Sequence, residues 1–524
     1  MACVLSESIK VSAASQADRR WGRGHSVFHL ASWFRRARVR DSSISLLLVA
    51  SFLASPGLGQ ESDATHRAAA AISAHQYKDA LQILDPLLKQ HPRDTRLWTL
   101  RGLALDGLGQ TKDSLASFDH ALLIQPSFLP ALEGASQAAY LHGDPAAIHY
   151  VRKLLAAAPA NPVANAMAGA LAYQSHDCPG SVKYFQQSGE AVYQSTNALA
   201  EFADCLVKSD RAADAAQALA RGVELHPESI QLKYNLAVAE LQDHKPTEAI
   251  GVLAPLSNVR DSGLLNLLAS AYIQANQPDD AFQTLENAIE ISPLDESNYL
   301  DLAILCLEHN QEERSVKAAT AGIARIQKPA SLYLIRGVAY AQLAQYDKAE
   351  SDFVAAAQIE PDQPHSTIAM SLLYSDRNQL DKEKELLNKQ LKNTPNDAVT
   401  NYLLADLLIR SGAEPGQPAF EQAQAHLARS LKSKPDSAEA QILMGKLLEQ
   451  QSDLPGALKH YDLALAVEPE NRSALDRKFV LLRKLHRNQD AAEVLGHLKL
   501  VLNSELKQGG SGNQVRVDPQ PTQQ

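Results

Sequence analysis

A chain of 524 residues, 45% hydrophobic but only 6% aromatic, is too long for one compact core and too apolar for general disorder. Its recurrent Ala and Leu speak for packed helices and against sheets. The net charge of -10 hides a split: residues 1–60 carry eight Lys or Arg against three Asp or Glu, which leaves the rest at -15, a surface that repels nucleic acid and favours basic or neutral partners.

In chain order, a basic run (Arg35, Arg36, Arg38, Arg40) comes first, then the apolar stretch Ile44 to Ala54. Those residues are too few for a hydrocarbon core that needs about twenty, yet they suit the centre of a secretory signal. Gly57 and Gly59 supply small residues ahead of a cleavage near Gln60, and no cysteine follows the apolar run for lipid attachment. Residues 1–59 therefore read as a leader, and the chain as exported, periplasmic or envelope-associated. An uncleaved shallow membrane anchor, an ordinary buried helix and a cytoplasmic protein are the alternatives, and the length of the basic leader leaves the true start codon open.

From Glu61 onward the chain repeats. Tyr333, Gly337, Tyr340, Ala349, Phe353, Ala356 and Pro361 set a spacing that also meets Trp98, Gly102, Leu105, Ser114, Phe118, Ala121 and Pro126. It meets Leu265, Ala269, Tyr272, Ala281, Leu285, Ala288 and Pro293, and again Gln441, Gly445, Leu448, Ala457, Tyr461, Ala464 and Pro469. Prolines 92, 126, 159, 227, 293, 361, 395, 435 and 469 fall on multiples of about 34 residues, apart from one interval of 40 that holds the loop Ser411 to Pro418. Steps of three and four place Tyr333, Gly337 and Tyr340 on one face of a first helix, and Ala349, Phe353 and Ala356 on one face of a second. Small residues allow the two helices to approach, aromatics fill the space beside them, and the proline stops the second helix. The units at Asp177 to Ser195 and Glu312 to Pro329 depart from the pattern, with Ser315 and Gly322 at Ala positions.

This ruler resembles the tetratricopeptide repeat family from about residue 61 to 506. The resemblance implies an all-α, right-handed superhelical solenoid of about twelve helix-turn-helix repeats over residues 60–471. A basic capping pair over 472–508 (Arg477, Lys478, Arg483, Lys484, His486, Arg487) and a flexible tail, 509–524, follow. Cys3, Cys178, Cys205 and Cys306 are too few for a disulfide scaffold and read as free buried thiols. In an exported chain, pairing of Cys178 with Cys205 between neighbouring repeats is the alternative.

Catalytic constellations are missing from the reading. His25 and His29 lack the Glu of a zinc helix, and Gly102, Gly107 and Gly109 have Leu108 where a phosphate loop requires Lys. Glu312–Glu313 and Asp279–Asp280 suit helix starts, and the alternating Lys382, Glu383, Lys384, Glu385 suits a solvated second helix. No catalytic residue, metal site or cofactor is expected, and the segments flanking the repeats are too short for a catalytic domain.

The family's ligand contacts come from first-helix side chains that face a concave groove. Projecting the ruler gives Asn235, Asn266, Ser270, Gln274, Leu300, Ile304, Leu334, Val338, Gln342, Ile368, Leu372, Tyr402, Asp406 and Arg410. Amides would bond an extended peptide's backbone and aliphatics would take its apolar side chains, unless Leu300, Ile304, Leu334 and Val338 pack only against neighbouring first helices. The Lys and Asn clamp by which some relatives take acidic C-termini is not reproduced. The expectation is a non-enzymatic scaffold for a protein or extended peptide, with membrane contact only through an uncleaved leader. An accessory, substrate-positioning subunit of an envelope enzyme or of a secretion or polysaccharide-export complex is the alternative.

Overall fold

The computed structural model describes residues 60–361 and 363–509, so the leader, its apolar segment and the tail beyond Gly509 lie outside the described residues. The described residues hold 26 α-helices and no strand. They fall into two compact units that divide between Ile291 and Ser292.

The N-terminal unit comprises α1 (Gln60–Ser73) and α2 (Tyr77–Gln90), α3 (Thr95–Gly107) and α4 (Thr111–Ile124), and α5 (Leu129–Leu141) and α6 (Ala147–Ala157). Next come α7 (Pro162–Gln174) and α8 (Cys178–Gln187), α9 (Thr196–Lys208) and α10 (Ala212–Leu225), α11 (Ile230–Gln242) and α12 (Pro246–Leu253), and α13 (Ser262–Gln274) and α14 (Pro278–Ile291). The C-terminal unit comprises α15 (Glu296–Glu308) and α16 (Glu312–Ile323), α17 (Ala330–Gln342) and α18 (Tyr346–Ile359), and α19 (His365–Asp376) and α20 (Leu380–Asn393). It ends with α21 (Ala398–Arg410) and α22 (Pro418–Ser433), α23 (Ala438–Gln450) and α24 (Leu454–Val467), and α25 (Arg472–Lys484) and α26 (Asn488–Gly509). Odd-numbered helices are the first of each pair. Neighbouring first helices touch one another from α1 to α13 in one unit and from α15 to α21 in the other.

Close approach within a pair has the cause read from the spacing. A Cβ built on Gly102 would lie 2.6 Å from the Phe118 ring, and one on Gly337 2.5 Å from the Phe353 ring, so only glycine lets these helices close on those aromatics. Phe118, Phe353 and Tyr461 are fully buried, each burial contributing about 2–3 kcal/mol. At two of the positions where Ala gives way to Ser the hydroxyl is satisfied across the pair: Ser114 Oγ donates to the Gly102 carbonyl and Ser315 Oγ to that of Ala303, both at 2.9 Å. Ser315 therefore fits its unit without loss of geometry.

Three further devices recur with the repeat. Asp94, Asn161, Ser195, Ser229, Asp261, Asp295, Asp397, Ser437 and Asn471 cap first helices by accepting from backbone N–H groups of the opening turn. Between the helices of a pair one residue takes positive φ, among them Gly109, Asp210, Asn276, Ala344, Asn378 and Ser452. In place of the Tyr333 side chain, Trp98, Asn165, Tyr299, Asn401 and Gln441 donate to the carbonyl of the closing proline six residues back, at 2.8–3.0 Å. The proline carbonyl, freed at the end of a helix, thus finds its donor in the next repeat.

The irregular unit at Asp177 to Ser195 is built differently. Helix α8 is only 10 residues long and gives way to a 3-10 turn, Gly189–Gln194, as the 8-residue α12 does at Ala254–Leu256. Cys178, at the first turn of α8, forms a disulfide with Cys205 on α9, with Cα atoms 5.0 Å apart. Free thiols are therefore the wrong reading for this pair: Cys178 opens a second helix that packs against the next first helix, α9. Cys306 is buried in α15.

Candidate functional site

First-helix side chains that turn away from the paired second helix form the inner face of each unit. In the N-terminal unit the expected residues divide. Asn235 is only 3% exposed and accepts from Gln231 Nε2 at 3.1 Å, so it belongs to the packed interior and not to a groove. Its place one residue off the Asn266 position turns it inward. Asn266 and Ser270 are half-buried, with Ser270 Oγ bonded to its own helix at the Asn266 carbonyl, and Gln274 is exposed.

Richer chemistry lies two pairs before α13 in the same unit, unnoticed in the sequence. On α9, Asp204 accepts from Lys208 Nζ at 2.6 Å and from the Tyr173 hydroxyl of α7 at 2.7 Å. Glu201 stands beside them, pushed up to about 7 by burial and by the Asp204 charge. Burial and the Glu201 charge in turn raise Tyr140 of α5 to about 12. Asp204 and Lys208 occupy the repeat positions of Ser270 and Gln274, so extending the same projection toward the N-terminus finds them.

In the C-terminal unit Val338 is 0% exposed, in a cluster with Phe353, Ala369 and Leu373, so it is a core residue and no part of a ligand surface. A β-branched side chain there fills the seam between α17 and α19. Leu334 and Leu372 are half-buried against that cluster, and Ile368 and Tyr402 against the next one. Leu300 and Ile304 are half-buried on α15, and Gln342 on α17. Burial, then the Asp406 charge, holds the Tyr402 hydroxyl well above its ordinary value. Asp406 and Arg410 pair along α21, Nε to Oδ2 at 2.7 Å.

Glu383 corrects the solvated-face reading of α20. Lys382, Lys384 and Glu385 are exposed, but Glu383 is 1% exposed and accepts from Ser371 Oγ and from Arg410 Nη2, each at 3.0 Å. Alternating signs could not reveal it, because burial follows the helical period and not the charge pattern. Glu312–Glu313 and Asp279–Asp280 do stand in first turns, of α16 and α14.

These inner faces offer hydrogen-bond donors, carboxylates and aliphatic patches over successive first helices, an arrangement fitted to holding a chain segment. Among the described residues no helix is long and apolar enough to cross a membrane.

Tetratricopeptide repeat models match residues 67–130, 201–254 and 419–472, and a second such model matches 262–293 and 330–363. Among solved structures the chain is similar to a tetratricopeptide repeat protein from Parabacteroides merdae, at 16% identity and TM-score 0.38, over 55% of this chain and 99% of that one. It is similar also to yeast Tom70, at 14% identity and TM-score 0.38, over 88% and 97% of the two chains. With paired helices recurring every 34 residues and repeat matches in both units, the chain is a member of the tetratricopeptide repeat family.

Proposed function

We propose that the protein is a non-catalytic scaffold that holds a segment of a partner protein along the inner faces of its first helices. One observation carries this reading. Gln274, Asp406 and Arg410 keep polar groups at the surface of helices whose other faces are packed, and they recur at matching repeat positions. For the exposed Gln274 stability alone gives no reason for a polar choice, since surface substitutions of this kind change folding little. Adjacent half-buried aliphatics add apolar area, the combination by which a groove takes an extended or helical peptide.

The same reading places the protein outside the cytoplasm, exported or envelope-associated. Supporting it are the basic and apolar leader and the Cys178–Cys205 bond, a linkage that persists in oxidising compartments.

Capture of partners from native extract on the immobilised protein tests the groove. Tyr402→Glu and Gln342→Arg, placed in a half-buried inner face, are expected to release partners that the unaltered protein retains. Retention of every partner by both variants sinks the proposal. Sequencing the mature amino terminus tests export: a terminus near Gln60 is expected, and one at Met1 contradicts it.

A further inference from the structure

In the pair α19–α20 a charge stands where the repeat calls for a small residue. Ser371 lies 34 residues after Gly337 and Glu383 lies 34 after Ala349, the two positions at which the first and second helices of a pair touch. Both side chains are buried, at 0% and 1% exposure. Ser371 Oγ donates to Glu383 Oε1 at 3.0 Å, while Glu383 Oε2 is buried with no hydrogen-bond donor. A carboxylate removed from water at such a place is costly unless a cation meets it.

Arg410 is that cation. It reaches from the inner face of α21 across to Glu383 Oε1 at 3.0 Å, and spends its other nitrogens on Asp406 Oδ2 at 2.7 Å and Ser375 Oγ at 2.9 Å. All three nitrogens are engaged, and two carboxylates face one guanidinium. Arg410, Asp406 and Glu383 together are net negative, although the group that reaches the inner face is an arginine.

We infer that Glu383 is a specificity-determining residue of this face: by tethering Arg410 it denies incoming carboxylates their cation, so the segment held across α19 and α21 bears Lys or Arg. This rests on the inner-face reading above and specifies the charge of its partner. Free guanidinium on a groove is a strong bidentate carboxylate binder. Replacing Glu383 by the Ala usual at its position releases Arg410 for that role, and Ala349, at the equivalent place in α18, is itself fully buried.

Fluorescence anisotropy of two labelled Gly-Ser peptides, one carrying Lys and the other Glu, measures the preference on the full chain. The unaltered protein is expected to favour the Lys peptide. Glu383→Ala and the isosteric Glu383→Gln are expected to shift the ratio of affinities toward the Glu peptide by about tenfold, the scale of one charge-assisted hydrogen bond. Adding Arg410→Met to either is expected to abolish the shift. Equal ratios in the unaltered protein and both Glu383 variants, or a shift that survives loss of Arg410, overturns the inference. Its failure is separable from that of the groove itself. If Tyr402→Glu releases native partners yet the ratio does not move, only the charge assignment falls; if partners stay while an Arg410-dependent shift appears, only the groove falls.

Discussion

Two acid–base pairs occupy equivalent repeat positions in the two units, Asp204 with Lys208 and Asp406 with Arg410, and their surroundings differ. In the N-terminal unit the carboxylate is the buried partner, held by a tyrosine from the preceding first helix, and a second carboxyl, Glu201, crowds it. In the C-terminal unit both partners stay partly exposed, and the cation also reaches a buried glutamate on a second helix. The repeat thus sets where a side chain stands, and its neighbours decide whether it is available. Two units of one skeleton can therefore present different charge.

The largest effects address the shared skeleton. Phe118→Ala in the N-terminal unit and Phe353→Ala in the C-terminal unit each empty the space closed by a glycine, and each should cost about 3–5 kcal/mol in denaturant unfolding. Unequal losses, with one near zero, would show that the two units do not share one packing rule. Next, replacing Cys178 and Cys205 by Ser removes a bond that closes a 27-residue separation and should cost about 3 kcal/mol. Hydrogen exchange should place that loss in α8 and α9, leaving α19 to α21 unchanged.

Asn401→Leu should follow at about 1–3 kcal/mol, because the amide donates to the Pro395 and Asp397 carbonyls and its oxygen bonds His426 Nδ1. A loss within error would mean that the donor to the closing proline is dispensable. Smaller still, and opposite in sign, Ala344→Gly should gain about 1 kcal/mol by relieving a non-glycine residue held at φ 56°. Thermal unfolding reads the sign.

Acidity sharpens the contrast. Burial raises Glu201 and Glu240 to about 7 from an ordinary 4.5, with Asp204 and Glu248 adding to the rise. Their share of stability is full below pH 4.5 and lost as pH rises through 7. Burial lowers His426 and His460 below 6.5, so their share is full above 6.5 and lost as pH falls through their folded values. Glu383, raised by burial, works against the histidines in that unit. Exchange of amides in α9 and α11 should therefore quicken between pH 5 and 8 relative to those in α21 and α23. Parallel behaviour in both units contradicts this assignment.

Much of the skeleton was legible in the sequence. The steps through Tyr333, Gly337 and Phe353 and the spaced prolines anticipate helix pairs because close packing admits few residue types at those points. Turn residues were harder to see, since His, Asn, Asp, Ala and Ser all occupy positive φ beside the expected Gly. Exposure along the first helices was not legible. Val338 and Asn235 sit close to the ruler's groove positions and are buried, because how far neighbouring first helices close over them depends on both helices. Glu383 was hidden by its charged neighbours, and the Cys178–Cys205 bond by a sequence separation of 27 that does not announce which helix faces meet.

The central claim is that partners lie along the first helices. A photo-crosslinking amino acid placed at Gln342, on a first helix, or at Lys384, exposed on a second helix, tests it in the native cell. Crosslinks from position 342 and none from 384 are predicted; crosslinks from 384 with none from 342 would contradict the account.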